Sequence, residues 1–439
     1  MPDIGLLPRD DSSNGWSRIL PPRAPKPSLE GDVRADWVVV GAGFAGLAAA
    51  RRLAENRPND RVVLLEAQEA GEGASGRNSG FAIDLPHNVG SALDELESSH
   101  SYMRLARAAV AELQSRVERH GIDCDWSRPG KHHAAVTDKG VREVLRPFVA
   151  MLEALGEPYR WVEGEALAGE IGTRHFSAAV HTPGCVLMNP AALTRGLGDS
   201  LPENVAFHEH TPVTAVEHRN GITLTTPKGS VFAPTMVVAV NGFAQQFGYY
   251  KGRLLPFAAH ASLSRRLTDA EYTALGSPAS WGLTPANAYV GITMRLTNER
   301  RILIRQNIHF CPGMRQSDER RRRIQGEHKR LFDQRFPMLP AVEMEHTWTG
   351  FLCLSRNGSP GFGRVAPNVY TAVCQNAVGV TKGTIGGLLA ADMACGQDNP
   401  LIADMEGLGR PDRVPPRPFL DIGVRARFAW ELWRARAEA

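Results

Sequence analysis

Apolar positions in the first 35 residues follow neither a helical nor a strand period. Pro, Ser and Asp interrupt them, and ILPPRAPKP at 19–27 bars a sustained element, so residues 1–35 read as an arm lying on the surface or across the fold. The pattern changes at Asp36. WVVVGAGFAGLAAARRLAEN gives a short apolar strand, a glycine turn and a helix with small residues on one face, and RPNDRVVLLE adds a turn and a second strand ending on Glu66. A strand closing on Asn-Gly recurs in TMVVAVNGFA, and YTAVCQNAVGVTKGTIGGLLAADMA predicts strand, turn and helix. Other stretches alternate apolar and polar residues: DWSRPGKHHAAVT, FAAHASLSRRL and NAYVGITMRLTNERRILIRQNIHF. They predict an antiparallel sheet with one buried face, accompanied by a helix at about 138–156 and a charged helix over 318–330.

These segments interleave into two domains. An α/β domain takes residues 36–121, 181–250 and 346–415, and an α+β domain takes 122–180 and 251–345. A tail at 416–439 ends in an amphipathic helix that packs on its own domain; the alternative is a basic helix at a membrane surface, with Phe428, Trp430 and Trp433.

Composition narrows the function classes. A formal net charge of +3 makes no field for a nucleic-acid backbone. The six cysteines form no CxxC pair and have no short spacing to histidine, so neither a disulfide framework nor a metal site is expected, and the compartment reads as reducing cytoplasm. The first residues lack a basic, then apolar, leader, and no apolar run reaches the roughly 18 residues that span a bilayer.

The strand, turn, helix and strand that begin at Asp36 carry GAGFAG, and that context makes the glycine spacing specific for a dinucleotide. Gly41 permits the turn, Gly43 admits a pyrophosphate at the helix N-terminus beside Phe44 and Ala45, and Gly46 lets helix and strand approach. Glu66, followed by Ala67, lies twenty residues past Gly46, where a carboxylate accepts ribose hydroxyls. NAD and FAD both fit this unit.

A second glycine-rich loop, GEGASGRNSGF, follows the ribose-binding strand, where NAD dehydrogenases usually continue into another crossover. It resembles the loop of FAD-dependent amine and amino-acid oxidoreductases of the D-amino-acid-oxidase superfamily, closest to the gamma-glutamylputrescine oxidase-like and glycine or sarcosine oxidase-like enzymes. The likeness extends through HTPVTAVEH, TMVVAVNGFA, WTGFLCLSRNGSPGFG and YTAVCQNAVGVTKGTIGGLLAADMA, and to the arm and the tail. It implies a Rossmann-like FAD-binding domain (GR2-type) roofed by the antiparallel substrate sheet. It further implies that Ala74, Ser75, Arg77, Asn78 and Ser79 reach the pyrophosphate and flavin edge, while Gly76 and Gly80 keep the backbone close to the ring. Val213, Asn241, Gly242 and Gly350 would border the nucleotide or ring, and the helix-start amides at Gly379, Val380 and Thr381 would face the ring's N1/C2 edge.

By the same resemblance the reaction is oxidation of an amine C–N bond by hydride transfer to flavin N5, with the imine hydrolysed in water. Arg295 and Arg305 are candidate anchors for an acidic substrate end, with salt bridges outside the pocket as the alternative. Lys382 would raise the potential near the ring or face solvent. His87, His132, His133 and His309 read as structural.

Departures from the family pattern matter too. Cys374 to Gly379 replaces a glycine- and histidine-rich run, and the position of a covalent-flavin cysteine falls on Gly350, so FAD is expected to be non-covalent. The oxygen-activating lysine of sarcosine oxidase-like enzymes falls on Leu303, with Lys251 or Lys382 as substitutes from elsewhere. The electrons of the reduced flavin therefore go to oxygen slowly and to another acceptor more readily. The 318–330 helix reads most simply as a solvated charged face, with docking of an acidic electron carrier as the alternative. A subunit of a hetero-oligomeric dehydrogenase keeps every motif; a monooxygenase is disfavoured because no late G-D-A element precedes the last helix. Substrate identity and oligomeric state stay open.

Overall fold

The computed structural model describes residues 4–86, 96–287, 291–434 and 438; His87 and the 288–290 part of the alternating stretch lie outside them. Among the described residues, six strands form the first sheet in the order Gly361–Ala366, Val369–Val373, Thr235–Val238, Trp37–Val40, Val62–Leu65 and Val205–His208. All neighbours are parallel except the first pair. Strands covered on both faces need apolar residues at every position, and Val62–Leu65 is buried throughout. The Phe44–Asn56 and Gly379–Cys395 helices pack on each other, and Gly387 allows it: a Cβ there would stand 1.9 Å from the Ala45 carbonyl.

The second sheet has eight strands, in the order Met344–Ser355, Leu254–Ser264, Ile302–Phe310, Thr293–Leu296, Trp281–Pro285, Lys131–Ala135, Ala178–Thr182 and Arg160–Glu163. It is mostly antiparallel, with one parallel pairing between Trp281–Pro285 and Lys131–Ala135. The Asp318–Arg335 helix packs on it through Ile324, His328, Leu331 and Phe332, leaving its arginine-rich face outward.

Two expectations need correction. The boundary at residue 345 cuts the Met344–Ser355 strand, which runs its full length beside Leu254–Ser264; backbone pairing holds that strand in the second sheet. The first 35 residues also contain regular structure. A short helix, Gly15–Arg18, is capped by Asn14, and Gly31–Arg34 pairs in parallel with Gly229–Ala233 in a separate four-stranded sheet. Tertiary partners supply what the Pro-rich sequence lacks: Trp16 is 1% exposed and meets Trp348 edge-on, with its indole donating to the Asn78 carbonyl.

Candidate cofactor and substrate cavity

A long cavity runs between the two sheets, from the arm to the centre of the second sheet. One end is built by the first domain. Gly41 adopts φ +96° at the turn, and a Cβ on Gly46 would stand 1.6 Å from the Gly41 carbonyl, so the helix can start this close to the strand only with glycine at both places. Gly43, Phe44 and Ala45 then line the cavity at the helix N-terminus. A second N-terminus, Ala74 and Ser75, comes from the Ala74–Arg77 turn, and the Ser75 hydroxyl accepts from Phe44 N at 2.9 Å, locking the two glycine loops together. Glu66 lines the same end. Its carboxylate accepts from Ala42 N at 2.7 Å and Gln68 N at 3.0 Å, while burial pushes its pKa up against those bonds. Ala67, Thr211 and Val213 complete the wall.

The middle is bordered by Asn78, Ser79, Asn241, Gly242, Gly350, Gln375, Gly379 and Val380. Asn241 ties two strand ends, its Oδ1 accepting from Cys374 N at 3.1 Å. Trp348 donates to the Arg77 carbonyl at 2.9 Å, bringing Gly350 against Arg77. Beyond lie Phe81, Ile83, His260, Thr284, Thr293, Arg305, Met314, Thr349 and Leu352.

Several candidate residues stand elsewhere than expected. Gly76 and Gly80 do not line the cavity; a Cβ on Gly76 would meet Gly71 O at 1.9 Å and one on Gly80 would meet Met188 O at 2.1 Å, so both serve packing behind the loop. Arg77 lines the cavity, but its guanidinium is engaged with the Glu72 carbonyl, Asp10, Asp11 and the Thr349 carbonyl. Asn78 turns its amide back on the loop, to Ser75 O and Gly80 N. Thr381 is buried in its helix and outside the lining.

The three cationic candidates separate. Arg295 is 1% exposed and outside the lining, donating to Met188 O at 2.6 Å and Gly80 O at 3.2 Å and pairing with Asp125 at 3.3 Å. It is a cross-domain clamp, and burial outweighs Asp125 to bring its pKa down to about 10. Lys382 neither lines the cavity nor faces solvent; its ammonium stands 5.1 Å over the Tyr102 ring, and burial lowers its pKa to about 8. Arg305 does line the cavity. Its guanidinium has no hydrogen-bond or ion-pair partner among the described residues, and burial alone lowers its pKa. Leu303 sits with Trp16, Ala261 and Trp348 in an apolar cluster, and Lys251 is exposed in a turn.

Sequence reasoning missed part of the lining. Ile4, Leu6, Leu7, Pro8, Arg9 and Asp11 close the dinucleotide end, held down by Arg77 and by an Asp11–Arg321 pair; the apolar IGLLP at 4–8, ahead of the Pro-rich run, is the segment that enters. His260 was also missed. Its Nδ1 meets Thr349 Oγ1 at 2.9 Å, its ring stacks on His309 at 5.2 Å, and burial lowers its pKa to about 3, so it is neutral. His132 pairs with Glu170, and His133 with Thr284.

A protein-family model described as FAD dependent oxidoreductase matches residues 36–393. The chain belongs to this DAO family. It is an FAD-dependent oxidoreductase, and FAD is its cofactor. The glycine turns, the acid at the strand end and the converging helix N-termini fit that group: they offer a wall without side chains for a pyrophosphate and an acceptor for ribose hydroxyls. The chain is 27% identical to the gamma-glutamylputrescine oxidoreductase of Escherichia coli K12 over 384 residues, covering 85% of this chain and 86% of that protein. It is 23% identical to a probable oxidoreductase, OrdL, of Haemophilus influenzae over 416 residues, 91% of each chain. Among solved structures, glycine oxidase of Geobacillus kaustophilus superposes with a TM-score of 0.71 at 20% identity, over 88% of this chain and all of that one, which shows a shared fold. Among the described residues no helix is long and apolar enough to cross a membrane.

Proposed function

We propose that this oxidoreductase acts on a primary or secondary amine that carries an acidic group, breaking the α C–H bond and leaving an imine that water hydrolyses to an aldehyde or keto acid. The observation that carries the reading is Arg305: a cation in the cavity wall, desolvated and without a side-chain partner among the described residues, is poised for a carboxylate or similar anion. The similarity to gamma-glutamylputrescine oxidoreductase supports an amine substrate.

In this reading Gly41, Gly43, Phe44, Ala45, Ala74 and Ser75 hold the pyrophosphate, and Glu66 the ribose. Asn241, Gly242, Gly350, Gly379 and Val380 border the ring, with Ala67 and Val213 at the adenine end. The flavin is held without a covalent bond: Gly350 offers no sulfur, and Cys353, which lines the cavity, is kept a neutral thiol by its contact with Cys374 and by burial, both of which raise its pKa. FAD, when bound, supplies the two-electron acceptor, taking hydride at ring atom N5. Arg305 orients the substrate by its acidic end, and Phe81, Ile83, Met314 and Leu352 keep the reacting carbon away from bulk water. A neutral amine reacts, and His260 in the cavity wall is itself neutral, so it places no charge beside the substrate.

With Leu303 where related enzymes carry an oxygen-activating lysine, and with Lys382 turned to Tyr102, we place an electron carrier ahead of oxygen as acceptor. The compartment in this reading is the cytoplasm. The test is anaerobic mixing of the flavin-loaded protein with acidic and neutral amines, followed by air. Bleaching of the visible flavin band by an acidic amine, with slow recolouring in air, is expected. Bleaching by no amine would overturn the substrate class and favour a chain that works only as a subunit of a larger dehydrogenase.

A further inference from the structure

Among the described residues six large apolar side chains are exposed, and five belong to one element, the Phe419–Arg434 helix: Phe419 at 69%, Ile422 at 64%, Trp430 at 42%, Leu432 at 46% and Trp433 at 68%. At about 100° per residue, positions 419, 422, 430 and 433 fall within an arc of about 80°. The opposite side meets the body in part, where Phe428 stacks on Phe257 with centroids 5.1 Å apart and Glu431 is buried; Leu432 lies on that side, off the stripe, and is exposed. The stripe is therefore directed outward, along a helix about 24 Å long.

Charge is distributed around that stripe with one sign. Arg425 lies on one margin and Arg427 and Arg434 on the other, the latter two standing 4.8 and 5.3 Å over the Trp430 ring. The helix's two acids are on the packed side and already paired, Asp421 with Arg417 and Glu431 with Arg427. Arg425 and Arg434 have no ion-pair partner among the described residues. Over residues 410–434 six arginines stand against three acids.

We infer that this helix seats the protein on an anionic lipid surface, lying flat with the Phe419, Ile422, Trp430 and Trp433 stripe in the interface and its arginines among the headgroups. An apolar arc flanked by cations, with tryptophans at the boundary, is the arrangement such a surface requires. Two copies packed stripe to stripe would bring arginine margins together with no acid on the stripe to answer them. A protein groove would have to shape itself around a convex helix that offers no pocket of its own; a bilayer needs no such complementarity.

The test uses the full-length, flavin-loaded protein. Sedimentation with phosphatidylcholine vesicles containing about a third phosphatidylserine should carry the protein down, and vesicles of phosphatidylcholine alone should not, with binding lost at high salt. Trp430→Ser with Trp433→Ser should weaken vesicle binding by about tenfold or more, because each indole brings substantial apolar area to the interface. Arg425→Gln with Arg434→Gln should erase the preference for anionic lipid. The side chains are exposed, so unchanged flavin content and circular dichroism are expected in both variants. Absence of binding to anionic vesicles, or binding unaffected by the tryptophan changes, overturns the inference. So does a wild-type dimer that the tryptophan changes make monomeric, which would assign the stripe to a second copy.

Discussion

Arg305→Leu distinguishes a substrate anchor from a structural cation, because the two roles give opposite signs in stability. The guanidinium meets the cavity, pairs with nothing among the described residues, and is desolvated enough to lower its pKa. A charged hydrogen bond contributes about 1.5–3 kcal/mol, so losing a bidentate hold on a carboxylate should remove about 2–3 kcal/mol of binding. That corresponds to about 30- to 150-fold in kcat/KM for acidic amines, mostly through KM. Neutral amines should change by less than about threefold, about 0.7 kcal/mol. Stability should hold or rise slightly, by less than about 1 kcal/mol, since an unpaired, half-buried charge is removed. The assay is anaerobic flavin reduction against substrate concentration for a matched pair of amines with and without a carboxylate, alongside urea unfolding. Equal losses for both amines together with a lower unfolding midpoint would refute the anchoring role. Arg295→Leu is the internal contrast: cutting its bonds to Met188, Gly80 and Asp125 should destabilise the protein by about 3 kcal/mol.

Gly43→Val would press a Cβ to within 2.6 Å of Ser75 Oγ and intrude on the cavity wall, so a folded, colourless apoprotein is expected; full flavin content with native circular dichroism would show that the turn does not hold the dinucleotide. Arg77→Met severs the 2.9 Å pairs to Asp10 and Asp11, and should release the arm at a cost of about 2 kcal/mol, seen as faster proteolysis before residue 20 and faster flavin loss; unchanged rates of both would rule out the arm as a cover. Burial holds His328 neutral with a pKa of about 4, whereas the unfolded chain protonates near pH 6.5. The unfolded state therefore takes up more protons between those values, and stability should fall by about 3 kcal/mol as pH drops from about 7 to 4. His328→Gln should flatten that part of the urea midpoint profile, and an unchanged slope would contradict the assignment.

The dinucleotide unit was legible because contiguous residues make it. Gly41 and Gly46 answer to backbone geometry within one turn, and Glu66 ends the adjoining strand, so spacing alone implies their arrangement. The alternating stretches announced the second sheet but not its burial: Lys131–Ala135 and Thr293–Leu296 are buried at every position, so both faces are covered where one was expected to be. The arm was not legible: its helix and strand exist because Trp348, Gly71, Gly76 and the Gly229–Ala233 strand supply partners from distant parts of the chain.

The arginines show the limit most clearly. Strand alternation gave no reason to separate Arg295 from Arg305, and the register, Thr293 opposite Arg305 and Arg295 opposite Leu303, puts both on one face of the sheet. They differ in what arrives above them. Met188, Gly80 and Trp16 close over Arg295 and take up its donors, while the space over Arg305 remains cavity. Sequence determined that two cations would share a face; the docking of the other domain and the arm decided that one became a clamp and the other stayed free, because a guanidinium's role is set by the acceptors within its reach.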